Sequence, residues 1–122
     1  MIKFNSPTLD AEMVLGDTGT FSITPKLDGN TYLSEGDKVY FTVKERRRKD
    51  DSDKTEQELT KIEKTITSFD NGTVTIPINP SDTSNLEAGT YIYDIKVERG
   101  DGTVDTLTPN GQAYFTLKKG VR

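Results

Sequence analysis

Lys38-Val39-Tyr40-Phe41-Thr42-Val43-Lys44 decides the fold class. Val39, Phe41 and Val43 fall on one face, and Lys38, Tyr40, Thr42 and Lys44 on the other. That is the period of two of a strand with one buried and one solvated side. The alternation returns along the chain. Phe21 and Ile23 share a face within Thr20-Phe21-Ser22-Ile23-Thr24, and Val74, Ile76 and Ile78 do so within 73–78. Tyr91, Tyr93, Ile95 and Val97 oppose Ile92, Asp94, Lys96 and Glu98, and Ala113, Phe115 and Leu117 alternate with polar neighbours. Weaker strands are expected at 11–15 and 103–107. One polar face per strand is the mark of antiparallel sheets, not of a parallel α/β sheet.

Between these runs stand residues that tolerate turns. Gly16-Asp17-Thr18-Gly19, Asp28-Gly29-Asn30, Glu35-Gly36-Asp37, Asp70-Asn71-Gly72 and Gly100-Asp101-Gly102 are all of this kind. Pro77 lies at an outward position of its strand. It removes a ladder donor, which predicts an edge strand. The segment 55–69 carries two signals. Leu59, Ile62, Ile66 and Phe69 have helical spacing and Thr55-Glu56-Gln57-Glu58 reads as a capping box. Thr65-Ile66-Thr67 is β-branched and runs into Asp70-Asn71-Gly72, as a hairpin would. The strand reading over 61–69 is preferred, with a helical turn allowed at 55–60. Together the elements predict an all-β fold, an immunoglobulin-like antiparallel β-sandwich of seven to nine strands. Residues 11–118 would form it, with 1–10 as an N-terminal arm or first edge strand and 119–122 as a C-terminal tail.

The 122 residues suit one domain, and 18 of them are Thr, a strand former. Charged residues make up 30%, the net charge is −4, and His, Cys and Trp are absent. Those absences exclude disulfides, thiolate nucleophiles, imidazole bases and Cys or His metal sites. Met1-Ile2-Lys3-Phe4 opens no apolar run, so no signal peptide is expected, and no stretch approaches the ~20 apolar residues of a membrane helix.

Each candidate site is weighed against a plainer reading. Arg46-Arg47-Arg48-Lys49 would grip an anion, but Asp50, Asp51 and Asp53 cancel its field within a Debye length of ~8–10 Å, and no flanking aromatic supplies a stacking platform. A solvated hairpin tip is the simpler account. Asp17, Asp70 and Asp101 sit in turns, where Asp serves the backbone; a calcium site shared by them at the ends of the sandwich is the minority reading, and no segment matches an EF-hand loop. The glycine turns lack the Lys-Ser/Thr pair of a phosphate loop. Leu86-Glu87-Ala88-Gly89-Thr90-Tyr91 is read as a tyrosine corner, the Tyr91 hydroxyl bonding back to the main chain and Leu86 closing the core beneath. Ligand stacking by Tyr91 or Tyr93 is the minority reading. No catalytic, cofactor-binding or metal-binding residue is assigned, and no enzyme, cofactor, nucleic-acid or membrane role is expected.

The ordered series Gly16-Asp17-Thr18-Gly19-Thr20-Phe21, Glu35-Gly36-Asp37-Lys38-Val39-Tyr40-Phe41-Thr42-Val43-Lys44, Gly89-Thr90-Tyr91-Ile92-Tyr93-Asp94-Ile95-Lys96-Val97 and Asp101-Gly102-Thr103-Val104-Asp105-Thr106-Leu107 resembles the immunoglobulin-like structural proteins of phages and prophages of Gram-positive bacteria. It is similar in particular to the N-terminal domain of siphophage upper baseplate proteins, across residues 16–117. The resemblance implies a virion component of the baseplate, tail or head decoration, made in the host cytoplasm. It would act by protein–protein contacts with other virion proteins and with copies of itself, as a homo-oligomer in the particle. The alternative is a carbohydrate-binding or adhesin-type surface module, for which the outward aromatics Tyr40 and Tyr114 are the available platform.

Overall fold

The structure, a computed structural model, describes residues 3–5, 10–27, 30–46, 53, 55–108 and 113–120, with the backbone alone at 3–5, 26–27, 30–31 and 56–57. The strands are β1 (Lys3–Asn5), β2 (Asp10–Val14), β3 (Gly19–Ile23), β4 (Lys26–Leu27), β5 (Asn30–Thr31), β6 (Lys38–Glu45), β7 (Thr60–Ile66), β8 (Val74–Ile78), β9 (Gly89–Glu98), β10 (Val104–Thr106) and β11 (Ala113–Lys118). Single helical turns α1 (Glu56–Leu59) and α2 (Pro80–Thr83) interrupt them. The chain is all-β. The main sheet runs β1-β2-β11-β9-β6-β7, with β10 also paired to β9. A two-stranded sheet, β3-β8, forms the opposing layer, and β4-β5 is a separate small ribbon.

Eleven strands among the described residues exceed the expected seven to nine because four are only two or three residues long. Such pairs carry too little alternation to read from sequence. A second correction concerns direction. β11 pairs parallel to β2, Phe115 opposite Ala11 and Lys118 opposite Val14. These strands come from opposite ends of the chain, so no tight turn forces them antiparallel.

Every residue assigned inward in the five clear strands faces the core; all are buried except Ile23, which is half-buried against it. Phe21 of β3 reaches across from the small sheet to the large one. Its ring lies 5.2 Å from Phe41 of β6 and 5.5 Å from Tyr93 of β9, and Phe41 and Tyr93 are 5.5 Å apart. Phe115 of β11 adds edge contacts at 6.0 and 6.3 Å. Tilted and edge-on rings at these separations contribute beyond their area burial. Burial and, behind it, the Asp10 charge hold the Tyr93 phenol well above its ordinary range.

The ambiguous segment resolves as a compromise. Thr55 caps the α1 turn, its hydroxyl accepting the Glu58 N–H at 3.1 Å, and β7 follows directly. Leu59 and Ile62 are buried, while 67–69 lie beyond the strand. Asp70-Asn71-Gly72-Thr73 is a tight turn with positive φ at Asn71 (53°) and Gly72 (79°) and paired backbone bonds of 3.1 and 2.9 Å. It does not close a hairpin: β7 belongs to the large sheet and β8 to the small one, so the turn carries the chain between layers. Pro77 fits the edge reading, since among the described residues β8 pairs only with β3. Residues 3–5 occupy the first edge, antiparallel to β2.

Tyr91 is the corner expected of it. Its hydroxyl donates to the Glu87 carbonyl at 2.7 Å, and Leu86 packs partly buried on the core. The turn α2, unread in the sequence, opens with Asn79-Pro80, and the Asp82 carboxylate accepts the Asn79 N–H at 2.7 Å. The fully buried Thr83 then takes the Gly16 N–H at 2.9 Å, tying the β2–β3 turn to α2.

Lys64 points inward from the edge strand β7 and meets Asp82 at 2.8 Å, closing one open side between the layers. Burial raises the Asp82 pKa, but the bonds from Lys64 and the Asn79 N–H outweigh it and hold the carboxyl below its ordinary 3.8. The stabilisation is therefore complete above that value and is lost as pH falls through the depressed folded value. Acid titration of unfolding should show a shallower loss below pH 4 in Lys64→Met than in the parent. In urea, Phe41→Ala should lower stability by about 4 kcal/mol, the cost of a large core cavity.

Candidate functional site

Three segments gather at one end of the two-layer body: 30–37 before β6, 67–73 between β7 and β8, and 99–103 at the β9–β10 turn. Their chemistry centres on Asp37, 3% exposed at the foot of β6. Gly36 (φ 94°) lets the chain turn back so that the Asp37 carboxylate accepts the Ser34 N–H at 2.9 Å. Arg99, just past β9, donates to the same carboxylate oxygen at 2.5 Å and to the Tyr32 carbonyl at 2.7 Å. The guanidinium lies 3.9 Å from the Tyr32 ring centre, within cation–π range. The Tyr32 hydroxyl in turn donates to Asp105 of β10.

This chain of contacts joins residues 62 to 73 positions apart and locks the first loop to the β9–β10 hairpin. Burial first, then the hydrogen bond to Asp105, push the Tyr32 phenol up. Burial opposes the Arg99 charge, yet the Asp37 bond outweighs it and raises the guanidinium further. The cluster pairs a base-stable cation with the Asp37 carboxylate and a phenol with the Asp105 carboxylate. It ties the segment before β6 to the β9–β10 hairpin.

Beside it lies an open cleft of about 400 Å³ between the 34–37 turn and the 67–73 loop. Its walls are Ser34, Glu35, Thr67, Ser68 and Phe69, with buried Leu33 beneath.

The sequence candidates are scattered. Asp70 begins its turn, Asp101 accepts the Thr103 N–H at 2.9 Å, and Asp17 lies in the turn after β2. Among the described residues no three acidic, His or Cys side chains converge on a metal position. Gly16 spends its N–H on Thr83, and Gly102 (φ 91°) makes the β9–β10 tip. Of the basic run, Arg47, Arg48 and Lys49 lie outside the described residues, as do Asp50 and Asp51; the expected hairpin tip falls largely there. Arg46 corrects one expectation, that no aromatic stands by. Its guanidinium is 5.4 Å from the ring centre of Tyr114, which is 40% exposed. The neighbour comes from another strand, beyond the reach of local sequence.

Tyr40 and Tyr114 form no joint platform. Tyr40 sits opposite Lys96 and Tyr114 opposite Ile92, on strands flanking β9, so they are offset by about 13 Å along it and by two strand spacings, about 10 Å, across it. The Tyr40 hydroxyl is also engaged, donating to Glu98 at 3.3 Å. Tyr32 and Arg99 were missed, and Asp37 was read only as a turn residue. No local signal marks them, since each acts on partners distant in sequence.

No protein-family model, curated protein or solved structure matches the chain. Among the described residues no helix is long and apolar enough to cross a membrane.

Arg99→Met should cost about 3 kcal/mol in chemical unfolding, because it strands a buried carboxylate. Adding Asp37→Asn should recover part of that loss. If Arg99→Met unfolds with the parent's midpoint, the pair does not hold the loops.

Proposed function

We propose that the chain is an immunoglobulin-like sandwich and that it serves as a non-enzymatic adaptor or spacer in a phage particle. The strand layout supports the first half. β6, β9 and β11 run side by side with β7 beyond β6, as C, F, G and C′ do in variable-type domains, and β3-β8 would be the B–E pair. Tyr91 at the start of β9 is the corner tyrosine of strand F. In antibody domains the second cysteine stands two residues after that tyrosine, a disulfide joins it to strand B, and a Trp of strand C packs on the bridge. Here Tyr93, Phe21 and Phe41 occupy the corresponding strands and touch one another. An aromatic trio does by packing what the disulfide does covalently, which suits a chain without Cys.

The adaptor reading rests on the family resemblance and on one observation: this body is cross-tied at both ends. The Tyr91 and Thr83 bonds hold one end and the Arg99–Asp37 contacts the other. Such a rigid module transmits position between neighbours with little loss of conformational entropy on docking. The outer edges of the main sheet, at β1 and β7, offer backbone groups for docking, and the first edge is the candidate for strand exchange between copies.

Mass spectrometry of purified particles from an induced lysogenic culture should find the chain at fixed stoichiometry. Its absence from particles would refute the virion reading. Deleting residues 1–8 should block incorporation while cooperative unfolding persists, and normal incorporation of the truncated chain would remove strand exchange.

A further inference from the structure

Going beyond the adaptor reading, and independent of it, we infer that the loop-end cleft binds a neutral saccharide. Both walls are built before any ligand arrives. The 34–37 turn is held by the Ser34 N–H bond to Asp37, by the Asp37 N–H bond to the Ser34 carbonyl at 3.1 Å, and by Arg99 behind. The facing wall is held by the paired backbone bonds of Asp70 and Thr73 and by a 2.7 Å bond between the hydroxyls of Thr24 and Thr73. A preorganised cleft avoids the ordering cost that weakens binding by mobile loops.

The lining supplies what a sugar ring requires. Ser34, Glu35, Thr67 and Ser68 contribute three hydroxyls and one carboxylate, and among the described residues no protein group engages these side chains. Hydroxyls both donate and accept, and a carboxylate accepts the hydroxyls of a polyol as charge-assisted bonds. Phe69, half-buried against the core, adds one apolar surface for the C–H face of the ring. The space, about 400 Å³ and open to solvent, fits one or two sugar units of a longer glycan.

Charge selects the class. Glu35 is the one charged residue that lines the cleft, the chain carries −4 overall, and the nearby Arg99 is committed to Asp37. A uronic acid, sialic acid or phosphorylated sugar would meet the Glu35 carboxylate with no cation among the lining residues to offset it. A peptide is disfavoured too. Leu33 is sealed into the floor, so the cleft has no deep apolar pocket to anchor a side chain.

The test is an amide NMR titration of the full chain with maltotriose, chitotriose, β-1,4-galactobiose and, as the anionic control, a glucuronate disaccharide. At least one neutral saccharide should cause saturable shifts at 33–35, 67–69 and 72. Glu35→Gln, on an exposed turn, should weaken that binding about tenfold, the loss of a charge-assisted bond. Phe69→Leu keeps an apolar filler but removes the ring face, and should also weaken it. Absence of saturable shifts with every neutral probe, shifts confined to other surfaces, equal binding of the glucuronate probe, or Glu35→Gln binding as the parent does would each overturn the inference. Parent-like spectra of the variants separate lost binding from lost folding.

Discussion

Three rings, Phe21, Phe41 and Tyr93, meet at 5.2 to 5.5 Å between the layers, and the remaining structure is arranged around that contact. A two-stranded sheet is marginal by itself, and β3-β8 is stable only because its inward face, Phe21 with Val74, Ile76 and Ile78, is covered by the large sheet. With only 31% hydrophobic residues, the chain concentrates its large side chains on this seam and leaves the outer faces to Thr and charged groups. Without a disulfide, the two layers are joined by side-chain packing supplemented by a few polar ties.

Those ties sit where the sandwich is open. Lys64 and Asp82 bridge the β7 side, Tyr91 and Thr83 fasten the turns at one end, and Arg99 fastens those at the other. Each is a hydrogen bond or ion pair whose partners are partly or wholly shielded from water, where such contacts are stronger and an unpaired group is costly. They also decide which surfaces stay rigid. The cleft owes its fixed shape to Asp37 and Arg99, neither of which lines it.

Most of the inward residues were legible because strand alternation is a local property. So was Tyr91, since its acceptor is only four residues upstream. The Asp70-Asn71-Gly72 turn was legible as a turn but not as a passage between sheets, because turn chemistry carries no information about which strand a neighbour will pair with. The turn α2 carried a readable signal in Asn79-Pro80-Ser81-Asp82, an N-cap with Pro at the first helical position, obscured by its shortness.

By itself the sequence determined the all-β class, the inward and outward faces, the turns at 16–19, 35–37, 70–72 and 100–102, and the corner; the expected turn at 28–30 lies largely outside the described residues. All of these depend on residues within a few positions of one another. Only the tertiary structure decided that β11 lies parallel to β2, that Arg46 meets Tyr114, and that Arg99 reaches Asp37 across 62 positions. Such pairings depend on which strands become neighbours. That outcome is set by the packing of the whole core, and no short stretch of chain encodes it.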